Sequence, residues 1–205
     1  MRYVFATNNP GKARELKGIF QESGLELLTL SDLNLSLSPA ETGTTFEENA
    51  LIKAEETAAF LRSHGHSDVV VLADDSGIEI DAMNGLPGVD SALYMGADTP
   101  FEVRFNQILQ NLTNTPDEQR TARFVCVITC VLPDNKTLTT RAELVGKVAH
   151  KIQGVNGFGY DPILYLPDYG KTVAELTQEE KNEISHRSQA TRQILMLLSE
   201  QVSES

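Results

Sequence analysis

The sequence has no tryptophan, only two cysteines, and 17 Lys plus Arg against 29 Asp plus Glu among its 205 residues. Each shortage excludes something. A net charge of -12 leaves too few cations to displace the counterions of a long phosphate backbone, which excludes nucleic acid and anionic lipid as expected partners. No apolar run approaches the ~20 residues of a membrane-spanning helix. The opening MRYVFATNN has too short an apolar stretch for a signal peptide. Cys126 and Cys130 stand in the run FVCVITCVL at a spacing that puts both on one strand face, a poor geometry for a disulfide. With no nearby His or third Cys they read as buried, reduced thiols, which suits a cytoplasmic protein. What is present is an ordinary globular composition, 40% hydrophobic and 22% charged. A chain of this length buries roughly 70% of its unfolded surface, enough for one sizeable core. A single domain over residues 1–205 is the expectation.

Apolar residues recur at alternating strand and helix periods. Tyr3 to Ala6 reads as a short strand. Asn9-Pro10-Gly11 then opens a helix, with Asn at the cap, Pro at the first helical position, and Leu16, Ile19 and Phe20 at helical spacing. Leu25 to Leu30 predicts a second strand. Thr44 or Thr45, with Glu47 or Glu48 three residues on, makes a capping box ahead of an apolar stripe of Phe46, Ala50, Ala54, Ala58 and Leu61. Val69 to Ala73 predicts a buried strand that ends in Asp74-Asp75-Ser76-Gly77, with Ile78 and Ile80 in a second short strand. A helix from about Phe101 to Leu112 precedes two long strands, Thr121 to Leu132 and Thr137 to Ala149, which should pair as a hairpin. A glycine-aromatic loop (Gly154 to Asp161), a strand (Ile163 to Leu166) and one final helix, capped by Thr177 with Glu180, complete the chain. The class is α/β with some antiparallel content.

Five groups of residues could carry chemistry. TNNPGK, Thr7 to Lys12, leaves a strand and opens a helix whose unpaired N–H groups favour an anion, with Lys12 as a point charge. It also suits a capped helix with a surface lysine. Asp74 and Asp75 end a buried strand where ligands of open α/β sheets collect, and their mutual repulsion is relieved by a hard divalent cation such as Mg2+ bridging to phosphate. An acidic turn that merely ends the strand fits the same residues. Asn49 and Lys53, four apart, share a helix face that could serve a phosphate or simply be solvated. In GFGYDP, Gly157 to Pro162, the glycines let the backbone approach a flat ligand while a ring stacks on it, and Asp161 could accept from a base edge. The alternative is a tight turn anchored by its rings. KNEISHR, Lys181 to Arg187, concentrates positive charge on the last helix, with Lys181 and Ser185 sharing a face.

Taken in order, TNNPGK, ETGTTFEENALIKA, ADDSG, GLPGV, GFGYDPI and GKTVAELTQEEKNEISHR resemble the motifs of the inosine triphosphate pyrophosphatase family, the XTP/dITP diphosphatases. ADDSG and SHR resemble the bacterial branch most. The similarity runs from Phe5 to about Ala190.

The resemblance implies hydrolysis of inosine, deoxyinosine and xanthosine triphosphates to monophosphate and pyrophosphate, clearing deaminated purines before they enter DNA or RNA. It implies a mixed twisted sheet with flanking helices, in two lobes around a central cleft, and a homodimer. By matched positions, Thr7, Asn8, Asn9, Pro10, Gly11 and Lys12 would bind the triphosphate. Asp75 would act as general base and ligand of Mg2+, and Ser76 would touch substrate. Phe158, Gly159, Tyr160 and Asp161 would hold the base, with Lys181, His186 and Arg187 completing the pocket. Lys12, Lys53 and Lys181 together with Mg2+ would offset the substrate's charge. Where many members carry an acidic residue two positions before the Thr-Gly pair, this chain has Ala40, leaving Glu41 as the carboxylate beside Thr42-Gly43 and a candidate metal ligand. A pyrophosphatase for another modified nucleotide and a nucleotide sensor without turnover are the competing readings.

Overall fold

Asn9 adopts extended backbone, and its side chain accepts from the N–H groups of Gly11 and Lys12 while Pro10 fills the first helical position, so the strand β1 (Arg2–Phe5) gives way to the helix α1 (Pro10–Glu22) as the sequence predicts. In the computed structural model, which describes residues 2–203, β2 (Leu27–Thr29), α2 (Phe46–Ser63), β3 (Val69–Ile80) and α3 (Phe101–Asn111) follow. The second half holds β4 (Thr121–Val131), β5 (Thr137–Val148), β6 (Leu164–Leu166), β7 (Lys171–Thr172), α4 (Gln178–Ile184) and α5 (His186–Ser203). The strands form one seven-stranded mixed sheet in the order β2-β1-β3-β4-β5-β6-β7. β1 pairs parallel with β2 and with β3, Tyr3 lying opposite Leu27 and Val70, whereas β5, β6 and β7 pair antiparallel. β4 and β5 are neighbours joined by a short turn closed by Leu132 N–H donating to the Lys136 carbonyl, the expected hairpin.

The chain divides into two compact units. The first holds the residues up to Asp75, Cys126–Ala142 and the chain from Arg187 on. Its cores combine Phe5, Leu16, Phe20, Leu72, Ile128 and Ile194 with a second group of Val4, Ala54, Leu61 and Val71. Complete burial of each of the larger of these side chains contributes about 1.5–3 kcal/mol before entropy is counted. The second unit holds Ser76–Val125 and Glu143–His186, around Ile78, Ile80, Phe105, Ile108, Ile163 and Leu164. Cys126 and Cys130 are free and buried, and burial pushes their thiols up to about 12 and about 11. No helix among the described residues is long and apolar enough to cross a membrane.

The structure adds the two-residue strand β7 to the predicted elements and departs from the sequence reading at three further places. β3 does not stop at Ala73: it runs unbroken through Asp74-Asp75-Ser76-Gly77 to Ile80, because both carboxylates meet lysines and Ile78 N–H finds Ser91 Oγ at 2.9 Å. β2 is shorter than Leu25 to Leu30, since Leu25 N–H closes the end of α1 on Phe20 and Asp32 takes the N–H of Thr29. The final helix is two. Ser185 is extended (φ -65°, ψ 148°) and separates α4 from α5, so Ser185 does not continue the α4 face of Lys181.

Candidate active site

In the first unit, charge gathers around the end of β1 and the middle of β3. Thr7 Oγ1 accepts from Asn9 N–H at 3.1 Å, and Asn8 Nδ2 donates to the Leu37 carbonyl at 3.3 Å, which fixes the loop ahead of α1. Lys12, one turn in, places Nζ 2.9 Å from Asp74 Oδ2. Burial alone would raise the Asp74 carboxyl; Lys12, Arg187 and Lys53 outweigh it and hold that carboxyl below the usual carboxylate range.

Asp75 points to different partners, as alternation along a strand requires. Its Oδ1 lies 2.8 Å from Lys53 Nζ, and Lys53 Nζ lies 2.8 Å from Glu41 Oε1, so one ammonium bridges two carboxylates. Asn49, one turn before Lys53 on α2, donates to Asp75 Oδ2 at 3.4 Å and accepts from Gly43 N–H at 2.8 Å. Asn49 and Lys53 are therefore buried and face β3, not solvent. Gly43 permits this: a Cβ there would sit 2.6 Å from Glu48 Cβ and 2.8 Å from Asn49 Oδ1. Burial raises the Asp75 carboxyl, and the nearby ammonium offsets only part of that rise.

Arg187 also belongs to the first unit. Its Nη1 lies 2.6 Å from Glu15 Oε2 and its Nε 3.6 Å from Asp74 Oδ2, with all three side chains buried. Arg187, expected among the residues completing the pocket, joins an alternating series of Glu15, Arg187, Asp74 and Lys12, because a buried guanidinium takes the carboxylates within reach. Glu15 escaped the sequence reading, although its position three residues after Lys12 on α1 places it on the same helix face.

In the second unit the GFGYD turn is built around one carboxylate. Asp161 Oδ2 accepts from Phe158 N–H at 2.9 Å and from Lys181 Nζ at 2.6 Å, and Lys181 Nζ sits 4.7 Å from the centre of the Phe158 ring. Gly157 (φ +74°) leaves the space that Asp161 Oδ2 occupies, and Gly159 (φ +61°) completes the reversal. The Tyr160 ring is enclosed by its own unit. It is buried, its hydroxyl donates to the Ser91 carbonyl at 2.8 Å, and Phe101 and Phe105 pack on it edge-on at 5.4 and 5.8 Å. This ring is an anchor, which leaves Phe158 as the half-buried aromatic of the turn. His186 is buried with its ring 5.1 Å from that of Phe124, and Ser76 follows Asp75 in β3, half-buried.

The donor chemistry fits a magnesium ion that is completed by its substrate. Among the described residues no group of three or more His, Cys, Asp or Glu could hold a metal alone. Asp75 and Glu41 already converge on one cation, the Lys53 ammonium. One or two carboxylates plus phosphate oxygens and water are what Mg2+ takes in phosphoryl-transfer sites.

The strand-to-helix loop and the lysine-held acid of the first unit suit an anion, and the glycine-aromatic turn of the second suits a flat ligand, chemistry found in α/β proteins that handle nucleotides. The chain belongs to the Ham1 family, whose sequence model matches residues 3–197. It is 45% identical over 194 residues to the dITP/XTP pyrophosphatase of Exiguobacterium sp. (strain ATCC BAA-1283 / AT1b), covering 95% of each chain. It is 41% identical over 195 residues to the dITP/XTP pyrophosphatase of Bacillus subtilis (strain 168), covering 95% of this chain and 96% of that one. The Staphylococcus aureus Ham1 protein has a similar structure, with a TM-score of 0.84 at 40% identity, covering 98% of this chain and 100% of that one. These names agree with the resemblance drawn from the motifs.

Proposed function

We propose that this protein hydrolyses deaminated purine nucleoside triphosphates, dITP, ITP and XTP, to the monophosphate and pyrophosphate. The observation that carries the reading is Asp75, buried in mid-strand and held by Lys53 and Asn49, in a chain similar to dITP/XTP pyrophosphatases over nearly its whole length.

Asp75 is the general base. Its carboxylate takes a proton from water as the water oxygen bonds to phosphorus at the α–β anhydride. The bridging P–O bond breaks, and pyrophosphate departs with the bonding pair. Lys53 and Asn49 fix the carboxylate's orientation, and burial raises its basicity. Lys12 and the positive end of α1, around Thr7 to Gly11, attract the phosphates. Asp75 and Glu41 would hold Mg2+, which supplies charge neutralisation at the phosphate oxygens. Phe158 stacks on the base, while Lys181 and Asp161 hold the turn that presents it. Backbone N–H groups of that turn donate to a 6-oxo group; a 6-amino group would leave those donors unpaired, which disfavours adenine.

Two copies associate in this reading, through exposed apolar side chains of the second unit that include Leu93, Met95, Phe101 and Val103. The buried thiols suit the cytoplasm. A pyrophosphate-release screen over nucleoside triphosphates, with and without Mg2+, tests the function. Release from dITP, ITP and XTP but not from dATP or dTTP supports it, and binding without release overturns it. Light scattering of the purified protein tests the dimer, a monomer mass being the contrary result.

A further inference from the structure

Arg104 of α3 is buried, and all five of its N–H groups go to main-chain carbonyls. Nε donates to Thr99 at 3.0 Å, Nη1 to Ser91 at 3.1 Å and Ala92 at 2.7 Å, and Nη2 to Gly96 at 2.9 Å and Ala97 at 3.4 Å. One guanidinium therefore shapes the segment from Ser91, near the end of a short 3-10 helix, to Thr99. That segment touches the strand just after Ser76 and the 157–161 turn. On one side Ser91 Oγ accepts from Ile78 N–H at 2.9 Å and donates to the Gly88 carbonyl at 2.6 Å, and Gly77 has no room for a Cβ against Gly88 and Ser91. On the other side the Ser91 carbonyl, already held by Arg104, accepts the Tyr160 hydroxyl at 2.8 Å. Tyr160 is the residue before Asp161, whose carboxylate carries Phe158 N–H and Lys181.

We infer that Arg104 is a positioning residue for base recognition, acting through the Ser91 carbonyl and Tyr160 on the 157–161 turn. The inference rests on the proposed function, and deepens it by naming what holds the base-recognising turn in register with the strand that carries Ser76. A lysine cannot substitute. Its three donors sit on one atom at the end of a flexible stem, whereas the segment needs five donors in a planar fork.

The test uses the whole protein with the substitutions Arg104→Lys, Tyr160→Phe and both together. Each single substitution should raise KM for dITP at least tenfold with kcat within about threefold of the parent. The double variant should be no worse than the worse single one, because both hold the same carbonyl and the Arg104 guanidinium also acts directly on the Tyr160 hydroxyl. A merely structural role would lower kcat through lost active protein and leave KM unchanged, and that pattern in the Tyr160→Phe enzyme overturns the inference even if Arg104→Lys fails to fold. Hydrogen exchange at the 157–161 amides gives a readout free of turnover: it should accelerate at least tenfold in Tyr160→Phe, and unchanged exchange overturns the coupling. Parent protein that releases no pyrophosphate from dITP would instead overturn the proposed function, while accelerated exchange would still support the link.

Discussion

Lys53 Nζ lies 2.8 Å from Asp75 Oδ1 on one side and 2.8 Å from Glu41 Oε1 on the other. A single ammonium thus favours the ionised form of the buried carboxylate and tethers the loop that brings Glu41. Lys53→Met removes the nearest cation and leaves the acid in a low-dielectric setting, which raises its pKa. A higher pKa means less carboxylate at a given pH, so the acidic limb of the kcat profile should move to higher pH. kcat at pH 7 should fall at least tenfold. A pH–rate profile of parent and variant reads both effects, and superimposable profiles would separate Lys53 from the state of Asp75.

Asp74 should act on stability with the opposite sign. Its folded carboxyl lies below the usual range despite burial. Its contribution is therefore complete above an unfolded value of about 3.9 and is lost as pH falls through the lower folded value. Asp74→Asn should lower Tm at pH 7 and flatten the fall of Tm between about pH 5 and 3. Thermal melts across that range check it.

Glu15 and Arg187 meet at 2.6 Å with side chains only 5% and 3% exposed. Removing one partner leaves the other charge buried, at a cost of about 3–5 kcal/mol. For a chain of this size each kcal/mol lowers Tm by about 2–4 °C. Glu15→Leu and Arg187→Met should each be markedly destabilising by calorimetry, and the double variant less so than the sum of the two.

The 157–161 turn gives a local test. Gly157→Ala meets both a left-handed backbone and the Asp161 carboxylate. KM for dITP should rise at least tenfold while Tm falls by only a few degrees, as steady-state kinetics and melts of the same preparation would show.

Local patterns spoke clearly where one short segment determines its own structure. Asn9-Pro10 at the start of α1, the Thr45 and Glu48 box of α2 and the Thr177 and Glu180 box of α4 all form as spacing predicts, since caps are satisfied within four residues. Adjacent aspartates signal a turn and so predict a break that β3 does not have; only partners distant in sequence, Lys12 and Lys53, make them tolerable inside a strand. The break at Ser185 has no glycine or proline to announce it. Within the candidate site, residue types were legible but partners were not: Tyr160 reads equally as a stacking ring or an anchor until Ser91 and Phe101 are placed around it. Arg104 carries no motif, because its ligands are main-chain carbonyls of its own unit.

The central claim is that Asp75 activates water, and pyrophosphate release by Asp75→Asn tests it most directly when paired with equilibrium binding of dITP. The amide keeps the shape of the side chain but cannot take a proton. Release should fall at least a thousandfold while dITP still binds within about tenfold of the parent, as expected for loss of a general base. An Asp75→Asn enzyme that releases pyrophosphate at the parent rate would contradict the account.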